Sequence, residues 1–227
     1  MTRTKAHLSI CIGLLSAALL GNTAGFAAVV YNNTQNNLNR SFAPAAVNGA
    51  TPQFGDQVFL TGSDRRITDF QFEYFLTGPG GATSGNETGE LFFHRNDAGT
   101  TGIEPGTQLY RSGEFSLSTG FQTVVAQALS VTVPSTFTWS VIFRGIEANE
   151  QAGLLIYNPP TVGSSFDDFW QRNANGTWST LLDTTASPVP MNFAARITAV
   201  PEPGTYALAA IGGLFLIAAR RFKRRSA

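Results

Sequence analysis

Wherever the hydrophobic pattern of this chain is clear, its period is two. Phe70, Phe72, Tyr74 and Leu76 alternate with Asp69, Gln71, Glu73 and Phe75, and Phe137, Trp139, Val141 and Phe143 alternate with Thr138, Ser140, Ile142 and Arg144. Successive side chains of a strand point to opposite faces, so each run predicts a strand with one buried face. Shorter runs of the same kind lie at 57–61, 90–95, 108–111, 121–126, 129–133, 153–157 and 192–198. Between them stand Gly78-Pro79-Gly80-Gly81, Pro105-Gly106, Asn158-Pro159-Pro160 and Asn175-Gly176. Proline fixes φ there and glycine admits positive φ, so these read as turns. Eight or nine strands, with gaps too short for helical crossovers, predict an all-β domain: an antiparallel β-sandwich of jelly-roll type. No internal repeat is visible, and 32–39 (NNTQNNLN) reads equally as a flexible leader or an asparagine-rich first turn.

Both ends break this pattern with continuous apolar runs. Arg3 and Lys5 precede LSICIGLLSAALL at 8–20, and small residues follow around Gly25-Phe26-Ala27. Charged start, apolar run and small-residue site predict a signal helix and a signal peptide over 1–27. Leu8-Ser9-Ile10-Cys11 is a poor lipobox, because Ile10 is bulky where a small residue is needed. At the other end, 204–219 (GTYALAAIGGLFLIAA) is uncharged and would reach about 24 Å as a helix, slightly short of a bilayer. Arg220, Arg221, Lys223, Arg224 and Arg225 close it as a basic stop segment that stays cytoplasmic and leaves the body outside. The expected organisation is therefore a signal peptide, a β-sandwich over 28–199, and a terminal segment over 200–227 holding a transmembrane helix at 204–219.

Taking the ends away changes the charge picture. The formal net charge of the whole chain is zero, but residues 28–199 hold eight arginines, no lysine and fourteen acids, a surplus of about six negative charges. Such a body repels phosphate backbones, which argues against nucleic acid as a partner. The single cysteine, Cys11, falls in the leader, so the body has no thiol for a disulfide, a nucleophile or a metal. Apolar burial alone must hold it together, and most of the eighteen phenylalanines lie in it.

Pro201 and Pro203 cannot continue a helix, so Pro201-Glu202-Pro203 is expected to stay extended ahead of the span. Val200-Pro201-Glu202-Pro203, a short apolar span and an arginine-rich end, in that order, resemble the PEP-CTERM tag of exported proteins from exopolysaccharide-producing Gram-negative bacteria. The resemblance implies an exosortase that recognises Pro201, Glu202 and Pro203 and removes the span. It further implies a precursor anchored in the inner membrane and a product at the cell surface or in the extracellular matrix. The body resembles exported proteins sharing a choice-of-anchor domain of the type labelled R. That likeness rests on Phe70-Gln71-Phe72-Glu73-Tyr74-Phe75, Phe137-Thr138-Trp139, Pro159-Pro160-Thr161-Val162-Gly163 and Asp167-Asp168-Phe169-Trp170, and it implies an architecture without a reaction.

Candidate chemistry in the body is sparse. Fourteen acids could supply the carboxylate pair of a glycosidase, but sequence selects none, and Asp167 and Asp168 as strand neighbours point apart. Asn96, Asp97 and the carbonyls of 98–102 form a loop that could offer oxygen ligands to calcium with only one carboxylate, and a solvated hairpin turn explains it better. His94, the sole histidine of the body, has no Gly-x-Ser-x-Gly partner motif. No cofactor is expected. Trp170, Trp178, Tyr157 and Tyr110 lie near expected turns, and aromatic rings beside Asp168 would suit stacking on a sugar, although partial core burial of both tryptophans stands as the alternative. The expectation is a non-catalytic surface or matrix protein associated with exopolysaccharide; the alternatives are a secreted carbohydrate-active enzyme and a permanently anchored surface protein.

Overall fold

The alternating segments are strands in the computed structural model, which describes residues 26–184 and 188–202. The expected signal helix, Pro203, the span at 204–219 and the basic stop segment lie outside the described residues. Among the described residues no helix is long and apolar enough to cross a membrane. The strands are β1 (Ala28–Asn32), β2 (Asn37–Phe42), β3 (Phe54–Phe59), β4 (Arg66–Thr77), β5 (Thr88–Ala98), β6 (Glu104–Ser116) and β7 (Gly120–Ala126). They continue with β8 (Val131–Thr132), β9 (Thr136–Arg144), β10 (Gln151–Tyr157), β11 (Ser164–Ser165), β12 (Phe169–Arg172), β13 (Trp178–Leu181) and β14 (Ala195–Val200).

Two antiparallel sheets result. In the first, β4 carries β14 and then β10 along one edge, and β8 and then β7 along the other, while β1 flanks β14 and β2 flanks β10. The second runs β13-β12-β3-β9-β5-β6, with β11 extending the β12 edge of β3. Alternation decides which face is buried. Phe70 and Phe72 of β4 meet Phe93 of β5 and Trp139 of β9 between the sheets, with ring centroids 4.9 Å apart for Phe70 and Phe93 and 5.3 Å for Phe70 and Trp139. All four side chains are fully buried. Removing an aromatic ring of this size from water contributes about 1.5–3 kcal/mol, so this inter-sheet layer supplies what a disulfide would otherwise have to. One large cluster makes the core between the sheets, a small one of Leu155, Tyr157 and Ala194 with Phe75 lies apart from it, and residues 27–200 form one compact unit.

Several boundaries move. The run expected at 57–61 is β3, three residues earlier, because Phe54 packs inward against Phe143 and Phe193. Pro105 and Gly106, expected in a turn, lie inside β6; the turn sits at 99–102 instead. Residues 32–39 hold the end of β1, a bend and the start of β2. Strands β1, β2, β11, β12 and β13 have no counterpart in the alternation, being short or rich in Asn, Ser and Thr.

Candidate functional site

Outward residues of a surface sheet are ordinarily solvated. On the second sheet many are not: Gln57, Glu90, Phe92, His94, Thr138, Ser140 and Trp170 all point away from the core and are all buried. The sheet itself covers them. Trp178 of β13 and His94 of β5 stand four strand spacings apart, about 19 Å on a flat sheet. Their rings nevertheless meet edge to face with centroids 5.4 Å apart. The β12–β13 hairpin must therefore curl back over the outer face, making it concave. Gly55, in register with Trp170, permits the close approach beneath, since a Cβ there would collide with the Trp139 carbonyl of β9.

The concavity holds a cleft of about 400 Å³. Gln57, Phe59, Thr136 and Asn96 form its floor, Asp168, Trp170 and Thr180 one wall, and Ile103 part of the other. Phe166 stands at the mouth, 54 % exposed, in edge contact with Phe59 at 5.0 Å. Ile103 is equally open at 55 %. At the inner end Trp178 closes on His94, which stacks on Phe92.

Polar groups in the cleft are only partly used. Trp170 Nε1 donates to Gln57 Oε1 at 3.3 Å, which orients that amide and leaves its Nε2 without an acceptor among the described residues. Gln57 is itself only 7 % exposed. Asn96 Oδ1 accepts from the Thr138 hydroxyl at 2.8 Å, while its Nδ2 is buried and unpartnered. Burial pushes the Asp168 carboxyl above the usual carboxylate range, its own backbone N–H opposes this, and the neighbouring Asp167 charge adds to it. His94 is fixed as a neutral ring: burial lowers its pKa, Nδ1–H faces the Gly106 carbonyl at 3.4 Å, and Nε2 accepts from the Gln53 amide at 3.0 Å. The cleft thus offers amide donors, hydroxyls and one carboxylate acceptor beside aromatic edges, a set that matches the hydroxyls and C–H faces of a sugar.

The sequence-derived residues distribute unevenly. Trp170 and Asp168 line the cleft together, but Trp170, 5 % exposed, is a wall and no open platform. Trp178 is half-buried and closes the inner end. Tyr157 lies on β10 of the other sheet, where its hydroxyl donates to Glu73 at 2.8 Å and accepts from Asn37 at 3.1 Å, so it joins no site with the tryptophans. Burial, then that bond to Glu73, pushes its pKa up to about 12. Tyr110 packs inward on Phe93 at 5.0 Å. In the loop weighed for calcium, both Asp97 oxygens accept from Thr107, closing the β5–β6 hairpin. Among the described residues no group of three or more His, Cys, Asp or Glu could hold a metal ion.

Sequence reasoning missed Gln57, Phe59 and Phe166, and it placed Asn96 in a turn, where the structure has it in β5. Gln57 and Phe59 were legible only as positions of a strand, and nothing local marks a curled sheet. It also missed Asp56, an inward carboxylate of β3 that accepts from Ser165 Oγ at 2.7 Å and from the Phe193 N–H at 3.3 Å.

The terminal motif begins where the fold ends. Pro201 follows β14 directly and is half-buried, and Glu202 is exposed. Comparison with curated proteins and with solved structures finds no match. Residues 199–225 match the PEP-CTERM protein-sorting motif, so the chain carries the sorting signal of an exported protein that passes through a membrane-anchored precursor to an exosortase.

Proposed function

We propose that this is a non-catalytic surface or matrix protein, a jelly-roll-like β-sandwich retained by extracellular polysaccharide after its tail is removed. The observation that carries the reading is the sorting motif at 199–225 following directly on a folded body. The cleft supports the polysaccharide part, because Gln57 presents an amide nitrogen without an acceptor among the described residues beside Asp168 and Phe166. The signal peptide at 1–27, the span at 204–219, an exosortase acting at Pro201, Glu202 and Pro203, and the likeness of the body to the choice-of-anchor group belong to the same proposal. The tail itself, with Arg220 to Arg225 as its cytoplasmic stop, is what decides between release and permanent anchoring.

A secreted carbohydrate-active enzyme is the competing reading, and the raised pKa of Asp168 in a cleft favours it. It requires a second carboxylate about 5–10 Å away across the cleft. Asp168 is the one carboxylate in the cleft lining.

Two measurements test the proposal. Mass spectrometry of the mature protein from exosortase-positive cells is expected to find a C-terminus near Pro201 to Pro203; a species retaining Arg225 would sink the processing step. Affinity electrophoresis through the host's own exopolysaccharide is expected to retard the protein without consuming the polymer. Unretarded migration removes the retention reading, and release of reducing ends establishes the enzyme instead.

A further inference from the structure

The cleft is shut at one end. Rows of outward residues cross the second sheet, and Thr180 and Asn96, which line the cleft, sit two residues from Trp178 and His94 on their respective strands. The Trp178–His94 contact therefore stands across the cleft's inner end. Behind it the face is filled: Gln53 Nε2 donates to Ser140 Oγ at 2.8 Å and to His94 Nε2, and Phe92 stacks on the imidazole. The opposite end opens between Phe166 and Ile103, both more than half exposed. A polymer lying along a surface needs a groove open at both ends. This cleft has one.

We propose that the cleft takes the terminal sugar of a glycan chain, an uncharged or amino sugar, and not an internal stretch of it. This rests on the polysaccharide reading above and narrows it. The closed end sets the chain-end requirement, since a following sugar residue would have to pass through the indole and imidazole. The volume of about 400 Å³ fits one or two sugar units, at the small end of ordinary ligand pockets. Asp168 sets the charge preference: among the described residues it is the only ionisable side chain in the lining and no cation pairs with it, so a uronate carboxylate would enter against like charge. Gln57 Nε2 is placed to donate and Asp168 to accept, the pattern that adjacent hydroxyls satisfy.

The test uses the full-length protein in detergent micelles and the host's own exopolysaccharide, intact and after graded partial acid hydrolysis. Chain-end binding predicts that bound protein per milligram of glycan rises in proportion to the number of ends, while affinity for purified fragments stops improving after about two units. Capacity that stays flat on hydrolysis, with affinity climbing with fragment length, overturns the chain-end inference and leaves the polysaccharide reading standing. Retention by neither intact nor hydrolysed polymer overturns both. Trp178→Ala opens the inner end and is expected to raise capacity for the intact polymer at least several-fold; no gain in a variant whose circular dichroism is unchanged counts against the proposal. Should that variant fail to fold, the hydrolysis series on the parent protein decides alone. Asp168→Asn is expected to lessen discrimination against polygalacturonate, and preference of the parent for polygalacturonate overturns the charge assignment.

Discussion

Both faces of the second sheet bury aromatic side chains, and they do opposite things with polar ones. Inward, Phe93, Phe137, Trp139 and Phe143 meet a matching apolar face, and Asp56 is the one carboxylate of β3 that intrudes. Outward, the alternate residues of the same strands place Gln57, His94, Thr138 and Ser140 under a curled hairpin, with Glu90 farther along β5. Burial is thus no guide to purpose here. Apolar neighbours make the inner layer a source of stability, whereas the outer layer holds amides and hydroxyls with spare hydrogen-bonding capacity.

The largest test of that contrast is Trp139→Ala, which empties the centre of the inner layer and is expected to cost about 3–5 kcal/mol in denaturant unfolding. Trp178→Ala on the outer face should cost much less while changing glycan binding. Equal losses from the two would erase the distinction.

The buried carboxylates give the contrast a pH signature. Glu90 faces outward between Arg111 and Arg144, the latter at 3.0 Å; burial pushes its pKa up, but the hydrogen bonds and charges of the two arginines outweigh this and hold it below the usual range. Its stabilisation is present above the unfolded pKa and fades as pH falls through the folded one. Glu90→Gln is expected to lose about 1–3 kcal/mol at neutral pH and to flatten the acid limb. Asp56 has the opposite sign. Burial raises its pKa, against hydrogen bonds from Ser165 and the Phe193 N–H, with Asp168 adding to the rise. Its contribution is whole below the unfolded carboxyl pKa and is lost as pH rises through the raised folded value. Asp56→Asn keeps the geometry: Oδ1 accepts the Phe193 N–H, and Nδ2 donates to Ser165 Oγ, whose proton remains on the Gln57 carbonyl. The variant is expected to be more stable than the parent at neutral pH, with the difference vanishing in acid, as thermal melts across pH would record.

Smaller effects separate stability from binding. Tyr157→Phe removes hydrogen bonds to Glu73 and Asn37 on the far sheet and should cost about 0.5–1.5 kcal/mol with no change in retention by exopolysaccharide. Phe166→Ala, at the exposed mouth, should leave stability within about 0.5 kcal/mol while weakening retention. Retention that follows Tyr157 and ignores Phe166 would move the site to the other sheet.

How far the sequence could be read follows the same division. The inner layer was legible because Phe70 to Leu76 and Phe137 to Phe143 place an apolar residue at every second position, which picks out the core-facing side chains; the expectation of one buried face fails for β9, whose outward Thr138 and Ser140 are buried too. The cleft was only half legible. Trp170 and Asp168 stood out as an aromatic beside an acid, but Gln57 looks like any solvated strand position, Asn96 read as part of a turn, and Tyr157 looked equivalent to the tryptophans because no local signal says which sheet a strand joins. Strands such as β2 (NLNRSF) and β13 (WSTL) are set by pairing with β10 and β12, a tertiary fact. The terminal motif was fully legible, since its prolines, apolar run and arginines act through chain chemistry alone.

One pairing bears on timing. β1, the first strand of the body, has β14, the last, as its ladder partner: Ala28 faces Ala199, and β14 in turn fills the place between β1 and β4, while single contacts join Asn32 to Val162 and Val30 to Thr61. A chain exported from its N-terminus therefore holds β1 without its ladder until residue 200 emerges, and such long-range closure is slow. The matched motif begins at residue 199, within that closing strand. The sorting signal thus begins within the last piece of the sheet, and a chain cut short of β14 would present the open edges of β1 and β4, which invite aggregation. The sheet can close before the rest of the motif, through residue 225, has emerged.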